Sequence, residues 1–268
     1  MCRLLAYLGR PIQLDRLLLQ PEHSLVAQSY QPREMTSGVV NADGFGMGWY
    51  DQDPQVDPFT YKNLLPIWND TNLPHLSRYI ETGTFLGCVR SATGGQDVTV
   101  SNCPPFGDRQ ILAVHNGFIE NFRQTLYRPI RNKLTDDIYQ QIGGTTDTEH
   151  IFALFLSLLD VTADHHPQAH PPLTSALHST LTILTELARP EGVKFSANMI
   201  ITDGRQVVAS RFAYQTGAPS LYWLRDDPNF PESVMIASEP LFAGDWNKCP
   251  EESIITVGES LDINIHQI

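Results

Sequence analysis

The sequence predicts an α+β fold arranged in layers as a single domain over residues 1–268, and three observations carry that expectation. Apolar residues fall in two kinds of block, some at helical spacing and some in short runs of strand length, mixed along the chain. Asp203-Gly204 stands between two such runs as a hairpin signal. No internal repeat and no linker of uniform composition divides the 268 residues, so one domain is the simplest account although ~150 residues per domain would allow two.

From the N-terminus, Cys2 to Gly9 is an apolar run of strand length. Leu14 to Gln20 reads as a short helix that stops before Pro21, because the residue preceding a proline is held out of the helical region. Gly44 to Tyr50 is a glycine-punctuated strand, a composition that lets another backbone or a ligand come close. Thr84–Arg90 and Gln110–His115 are further strand-length runs, and Glu120 to Leu134 has helical spacing with a break expected at Pro129. Thr146 followed three residues later by Glu149 fits a capping box. The run it opens, Ile151 to Leu159, is apolar on most faces and belongs inside a core. Asp164 to Pro172, rich in His and Pro, breaks the order. Leu173, Leu177, Leu181, Leu184 and Ala188 then form an amphipathic helix. Strands follow at Phe195–Thr202, Gln206–Tyr214, Leu221–Leu224, Val234–Ser238 and Ser253–Val257.

Composition narrows the function. With 18 Lys+Arg against 30 Asp+Glu the formal net charge is −12, which disfavours nucleic acid and anionic membrane as partners. Ile151–Leu159 is the best apolar run and falls well short of the ~20 residues a spanning helix needs. Gly9, Arg10, Pro11 and Asp15 interrupt any export signal, so a cytoplasmic protein is expected. Cys2, Cys88, Cys103 and Cys249 contain no Cys-x-x-Cys pair, which excludes a zinc ribbon, and disulfides are not expected. His165, His166 and His170 lack a carboxylate at ligand spacing and read as a surface loop. Asp51, Asp53 and Asp57 lack the turn glycine and terminal Glu of a calcium loop. No metal site is expected.

Cys2 stands apart. Removal of Met1 would leave it N-terminal, with an α-amine of pKa ~7.7–8.0 able to take its thiol proton. The plain alternative is a buried small hydrophobe at a strand edge. Asn116 and Gly117 close an apolar run and offer a side-chain amide and a backbone N–H, the donor pair an oxyanion needs. Arg90 ends another run and is followed by the small residues Ser91, Ala92, Thr93, Gly94 and Gly95, leaving space for a carboxylate held bidentately. Asp147 can accept from an ammonium, or answer the helix dipole. Together these describe a seat for an α-amino acid carrying a reactive side-chain carbonyl.

At these residues the sequence resembles the class II glutamine amidotransferases. Met1-Cys2-Arg3, Asn41-Ala42-Asp43-Gly44-Phe45-Gly46, Arg90-Ser91-Ala92-Thr93, His115-Asn116-Gly117 and Thr146-Asp147-Thr148-Glu149 match that family's motifs in order. The resemblance implies the N-terminal nucleophile hydrolase fold, a four-layer αββα sandwich. It implies Cys2 as nucleophile, Asn116 and Gly117 as oxyanion hole, and Arg90, Thr93 and Asp147 as the groups binding the substrate's head. No cofactor is implied. The finer resemblance, in Met1 to Gly9, Gly46-Met47-Gly48-Trp49-Tyr50 and Ala237-Ser238-Glu239-Pro240-Leu241, is to the ergothioneine-biosynthesis branch acting on γ-glutamyl-hercynylcysteine sulfoxide. The partners expected are a small-molecule γ-glutamyl substrate and, at most, further copies of the chain in a homo-oligomer. A trimethylammonium in such a substrate would gain ~2 kcal/mol over an aromatic wall, for which Trp49, Tyr50, Trp68 and Phe106 are the candidates. Two other readings stand beside this one: a glutaminase component that supplies ammonia to a separate protein, and a non-catalytic γ-glutamyl-binding protein.

Overall fold

Alternation along the first strand, β1 (Arg3–Gln13), sets the architecture. Leu5 and Tyr7 pack into one apolar core while Leu4, Ala6 and Leu8 pack into another, the period of 2 that a strand buried on both faces must show. The computed structural model describes residues 1–92, 96–165 and 173–268, with residues 160–165 described by their backbone alone. Thr93, the His165 side chain, His166 and His170 lie outside the described residues.

After β1 come α1 (Asp15–Leu18), α2 (Leu25–Tyr30), β2 (Phe45–Trp49), β3 (Phe59–Asn63), α3 (Leu73–Tyr79) and β4 (Glu81–Val89). The middle of the chain holds β5 (Phe106–Asp108), β6 (Ile111–Ile119), α4 (Tyr127–Arg131), α5 (Asp136–Gln141), α6 (Asp147–His165) and α7 (Leu173–Ala188). The remainder is β7 (Phe195–Thr202), β8 (Val207–Arg211), β9 (Ala213–Tyr214), β10 (Tyr222–Asp227), β11 (Phe230–Ala237), β12 (Asn247–Lys248), β13 (Ser253–Val257) and β14 (Ile263–Gln267).

The strands form two antiparallel sheets. One runs β12-β10-β11-β1-β4-β2-β3, and the other runs β14-β13-β8-β7-β6-β5 with β9 added beside β7. This is the α+β architecture expected. Leu86 and Cys88 of β4 join Leu112 and Val114 of β6, Ile200 of β7 and Ala209 of β8 in a core drawn from both sheets. Leu17, Leu25 and Leu73 of the three N-terminal helices cover the other face of the first sheet, against Phe45, Met47 and Phe85. Helices α6 and α7 cover the second sheet through Phe155, Leu177 and Leu184 against Ala197 and Met199.

Several expectations need correction. The helix expected from Glu120 to Leu134 is only α4, and Pro129 does not break it. Pro129 is the third residue of that helix, where the missing N–H would have no intrahelical partner in any case. The run ending at His115 continues as strand to Ile119, so Asn116 and Gly117 lie inside β6 rather than at its close. Half of the capping box forms: Thr146 Oγ1 accepts from Glu149 N at 3.2 Å, but the Glu149 carboxylate reaches Gly143 N and Gly144 N instead. Helix α6 runs on to His165, past the start of the expected break. The close approach expected at the glycine strand is present: a Cβ on Gly46 would sit 2.0 Å from the Pro104 carbonyl oxygen.

Candidate active site

Strand parity brings the site together. Cys2 shares the inter-sheet side with Leu4, and Cys88, paired opposite Leu4 on β4, faces the same space. On β6 of the other sheet Leu112 and Val114 also point into that space, so Asn116, two residues on, does as well. Val89 pairs with both Arg3 and Phe45, which sets Arg90 beside the start of β1 and the start of β2. The nucleophile candidate, the amide and the guanidinium thus meet at one end of the inter-sheet core.

Two hydrogen bonds lock the neighbouring motif segments. Arg90 N donates to Gly44 O at 2.8 Å, and Ala92 N donates to Asp43 Oδ2 at 2.8 Å. Gly117 is required where it stands, since a Cβ there would lie 2.0 Å from Ser196 O. His115 Nε2 must donate to the Ser196 carbonyl, so its Nδ1 accepts from the Thr148 hydroxyl at 2.9 Å. Burial holds its pKa below the usual imidazole range, so the ring is a neutral strut between β6, β7 and α6.

The Asn116 side chain is fully buried, yet neither Nδ2 nor Oδ1 has a partner. Arg90 is 3% exposed, and its Nη1 has no partner either. Buried polar atoms are normally paired, so these three leave hydrogen-bonding capacity open to a ligand. Asp147 is partly engaged: Oδ2 accepts from Ile119 N at 3.0 Å and Oδ1 from Thr148 N at 2.9 Å. These bonds join β6 to the first turn of α6 and fix the carboxylate's direction.

Cys2 is chemically prepared. A hydrogen bond from Cys88 lowers its pKa most, burial opposes this, and the Ser91 backbone, the N-terminal ammonium and Arg90 add to the lowering; the result is about 6. Cys88 is pushed up in turn, because its proton is held against the Cys2 sulfur and because it is buried. Within the pair the proton is thus favoured on Cys88 and the negative charge on Cys2.

A second network holds the segment that passes in front of the N-terminus. The Glu239 carboxylate accepts from Arg3 Nη1 at 2.9 Å, His23 Nε2 at 2.7 Å, Arg33 N at 2.8 Å and Glu34 N at 3.0 Å. Met1 N donates to Ser37 O at 3.0 Å in the same segment. Burial pushes Glu239 up, but the bonds from His23, Arg33 and Glu34 and the Arg3 charge outweigh it and hold the pKa at about 2. Its stabilising contribution is present above the ordinary carboxylate range and is lost as pH falls toward that value.

Sequence reasoning missed two groups here. Cys88 had a signal, since it lies two residues before Arg90 and so shares its face. Glu239 stands in the Ala237-Ser238-Glu239-Pro240-Leu241 motif, but a carboxylate gathering donors from distant segments leaves no local pattern. The four aromatic candidates do not form one wall. Tyr50 sits in the inter-sheet core with its hydroxyl on Gln110 O and Thr202 O, and Phe106 belongs to the core against α6. Trp49 packs on Phe59, while Trp68 is 40% exposed and meets Tyr30 edge-on. Aromatic content near a motif in sequence does not carry to the same place in space, because adjacent strand residues face opposite ways.

The sequence profile described as "Glutamine amidotransferases class-II" matches residues 19–238. The chain belongs to the class II glutamine amidotransferases. Arg90, Asn116, Gly117 and Asp147 fall inside the matched range, and Cys2 precedes it. The probable glutamine amidotransferase DUG3 of Saccharomyces cerevisiae is 31% identical over 96% of this chain and 82% of its own length. The γ-glutamyl-hercynylcysteine sulfoxide hydrolase of Mycobacterium tuberculosis is 38% identical, but over 120 residues, 45% of this chain and 50% of the hydrolase. A class II glutamine aminotransferase domain protein of Silicibacter pomeroyi superposes over 100% of this chain and 99% of its own, with TM-score 0.70 and 25% identity. The Bacillus subtilis glutamine phosphoribosylpyrophosphate amidotransferase shares the fold alone, at 16% identity and TM-score 0.64, over 99% of this chain and 49% of its own. Among the described residues no cluster of metal-binding side chains is present, and no helix is long and apolar enough to cross a membrane.

Proposed function

We propose that this amidotransferase-family enzyme hydrolyses γ-glutamyl amides, with Cys2, freed of Met1, as an N-terminal nucleophile. The observation that carries the reading is the Asn116 amide, fully buried and unpaired, facing the space that Cys2 occupies. The Cys2 thiolate attacks the γ-carbonyl carbon, and the oxyanion takes hydrogen bonds from Asn116 Nδ2 and Gly117 N. The C–N bond breaks as the Cys2 α-ammonium gives its proton to the departing amine, leaving a glutamyl thioester. Water, deprotonated by the same amine, attacks the thioester and releases glutamate. Arg90 and Asp147 hold the α-carboxylate and α-ammonium. The layering of helices, sheet, sheet and helices that the three cores imply agrees with an αββα sandwich, in one domain.

The leaving group is the finer question. Similarity to the mycobacterial hydrolase supports γ-glutamyl-hercynylcysteine sulfoxide, and thus a place in ergothioneine synthesis in the cytoplasm. The longer match to a yeast protein described as a probable glutamine amidotransferase supports a second reading, in which glutamine is the amide cleaved and its ammonia is supplied to a separate protein. Incubating the processed protein with a panel of γ-glutamyl amides and following free glutamate tests both. Selective release from the sulfoxide supports the first reading, and release from glutamine that rises when a partner is added supports the second.

The head-group assignment makes its own prediction. Arg90→Lys replaces a planar fork with a point charge remote from the scissile bond. KM should rise at least about tenfold while kcat changes little, because the lost contact is equal in ground and transition states. Steady-state kinetics check this. A large fall in kcat at unchanged KM would contradict the assignment.

A further inference from the structure

We propose that the Gln96 side chain fills the head-group seat in the ligand-free chain and competes with the substrate for it. The inference rests on the reading that Arg90 and Asp147 hold the substrate's α-carboxylate and α-ammonium. Gln96 Oε1 accepts from Arg90 Nη2 at 3.3 Å, and Gln96 Nε2 donates to Asp147 Oδ1 at 3.5 Å. Its carboxamide therefore bridges the cation and the anion, with its acceptor on the first and its donor on the second. An amino-acid head group presents the same pattern: the carboxylate accepts from the guanidinium and the ammonium donates to the aspartate.

The match is chemical and also incomplete in an informative way. The carboxamide is neutral where the head group is a zwitterion, so each of its bonds to a charged partner is weaker than the one the ligand would make. Both distances are at the long end of hydrogen bonding. Arg90 Nη1 remains without a partner while Gln96 is in place, so the stand-in satisfies one guanidinium nitrogen where a carboxylate can satisfy two. Gln96 lies outside any helix or strand, half-buried, and its neighbour Asp97 is exposed, so the side chain can leave without breaking a backbone ladder. The seat is thus covered by a weak internal ligand that a true one displaces. Apparent affinity is then lowered by the fraction of chains in which the seat is filled.

Calorimetric titration of the full chain with L-glutamate, the product that carries the head group, tests the proposal without requiring turnover. Gln96→Ala and Gln96→Leu should each bind L-glutamate about three- to tenfold more tightly than the unaltered chain, since both remove the bridge and only one keeps the bulk. Arg90→Lys should bind more weakly. Unchanged or weaker binding by both Gln96 variants, with Arg90→Lys still weaker, overturns the competition and leaves the head-group assignment intact. Binding unaffected by Arg90→Lys overturns the head-group assignment and the proposal with it. An absence of binding in the unaltered chain and in both Gln96 variants does the same.

Discussion

Retaining Met1 is expected to lower hydrolysis by about 10²–10⁴-fold relative to the chain that begins at Cys2, the usual cost of losing a positioned acid–base group. With Met1 in place the nitrogen of Cys2 is a peptide N–H, which can neither take up nor deliver a proton. The electrostatics locate the effect. The Cys88 hydrogen bond already lowers the Cys2 thiol, with the N-terminal charge a smaller contributor. What the free amine adds is the proton for the departing amine and the base for the water that clears the thioester. A matched pair measures this: one preparation with Met1 removed, confirmed by intact mass, and one bearing an N-terminal extension, with Cys2→Ala as the zero. Equal rates for the pair would rule out an N-terminal nucleophile.

Asn116→Ala is expected to lower kcat by about 10²–10³-fold with little change in KM, because an oxyanion contact forms fully only in the transition state. Stability should move the other way or not at all. Neither polar atom of the Asn116 amide has a partner in the ligand-free fold, so removing it breaks no internal hydrogen bond and lifts a desolvation cost. The two readouts together separate a catalytic group from a structural one. A variant that melts earlier and keeps most of its kcat would make Asn116 a packing residue.

Much of the site was legible in the sequence because its parts sit on strands whose spacing is local. Arg90 and Asn116 each follow an apolar run, and the run fixes which face the next polar residue takes. Phe195–Thr202 and Ser253–Val257 read cleanly for the same reason: both are buried strands bounded by turns. The boundaries that failed did so where tertiary contact overrides a local signal. Gly117 looks like the end of β6, but pairing with Ala197 carries the strand onward to Ile119. Helix α2 has no long apolar stripe and depends on Ser24, whose hydroxyl accepts from Ala27 N, and on burial of Leu25 against the first sheet. The edge strand β14, Ile263–Gln267, is largely exposed and exists through its pairing with β13, which no composition announces. Gln96 and Glu239 act across tens or hundreds of residues of chain, and only the folded arrangement shows what they touch.

The most direct measurement is of the covalent intermediate. The processed protein is mixed with a γ-glutamyl amide, quenched in acid during turnover, digested and analysed by mass spectrometry, alongside Cys2→Ala and an alkylated control. A glutamyl group in thioester linkage on the N-terminal peptide, carried by Cys2 and lost on treatment with hydroxylamine, is the result predicted here. Glutamate released at full rate by Cys2→Ala, or a glutamyl adduct on Cys88 or Cys103 with Cys2 unmodified, would contradict it.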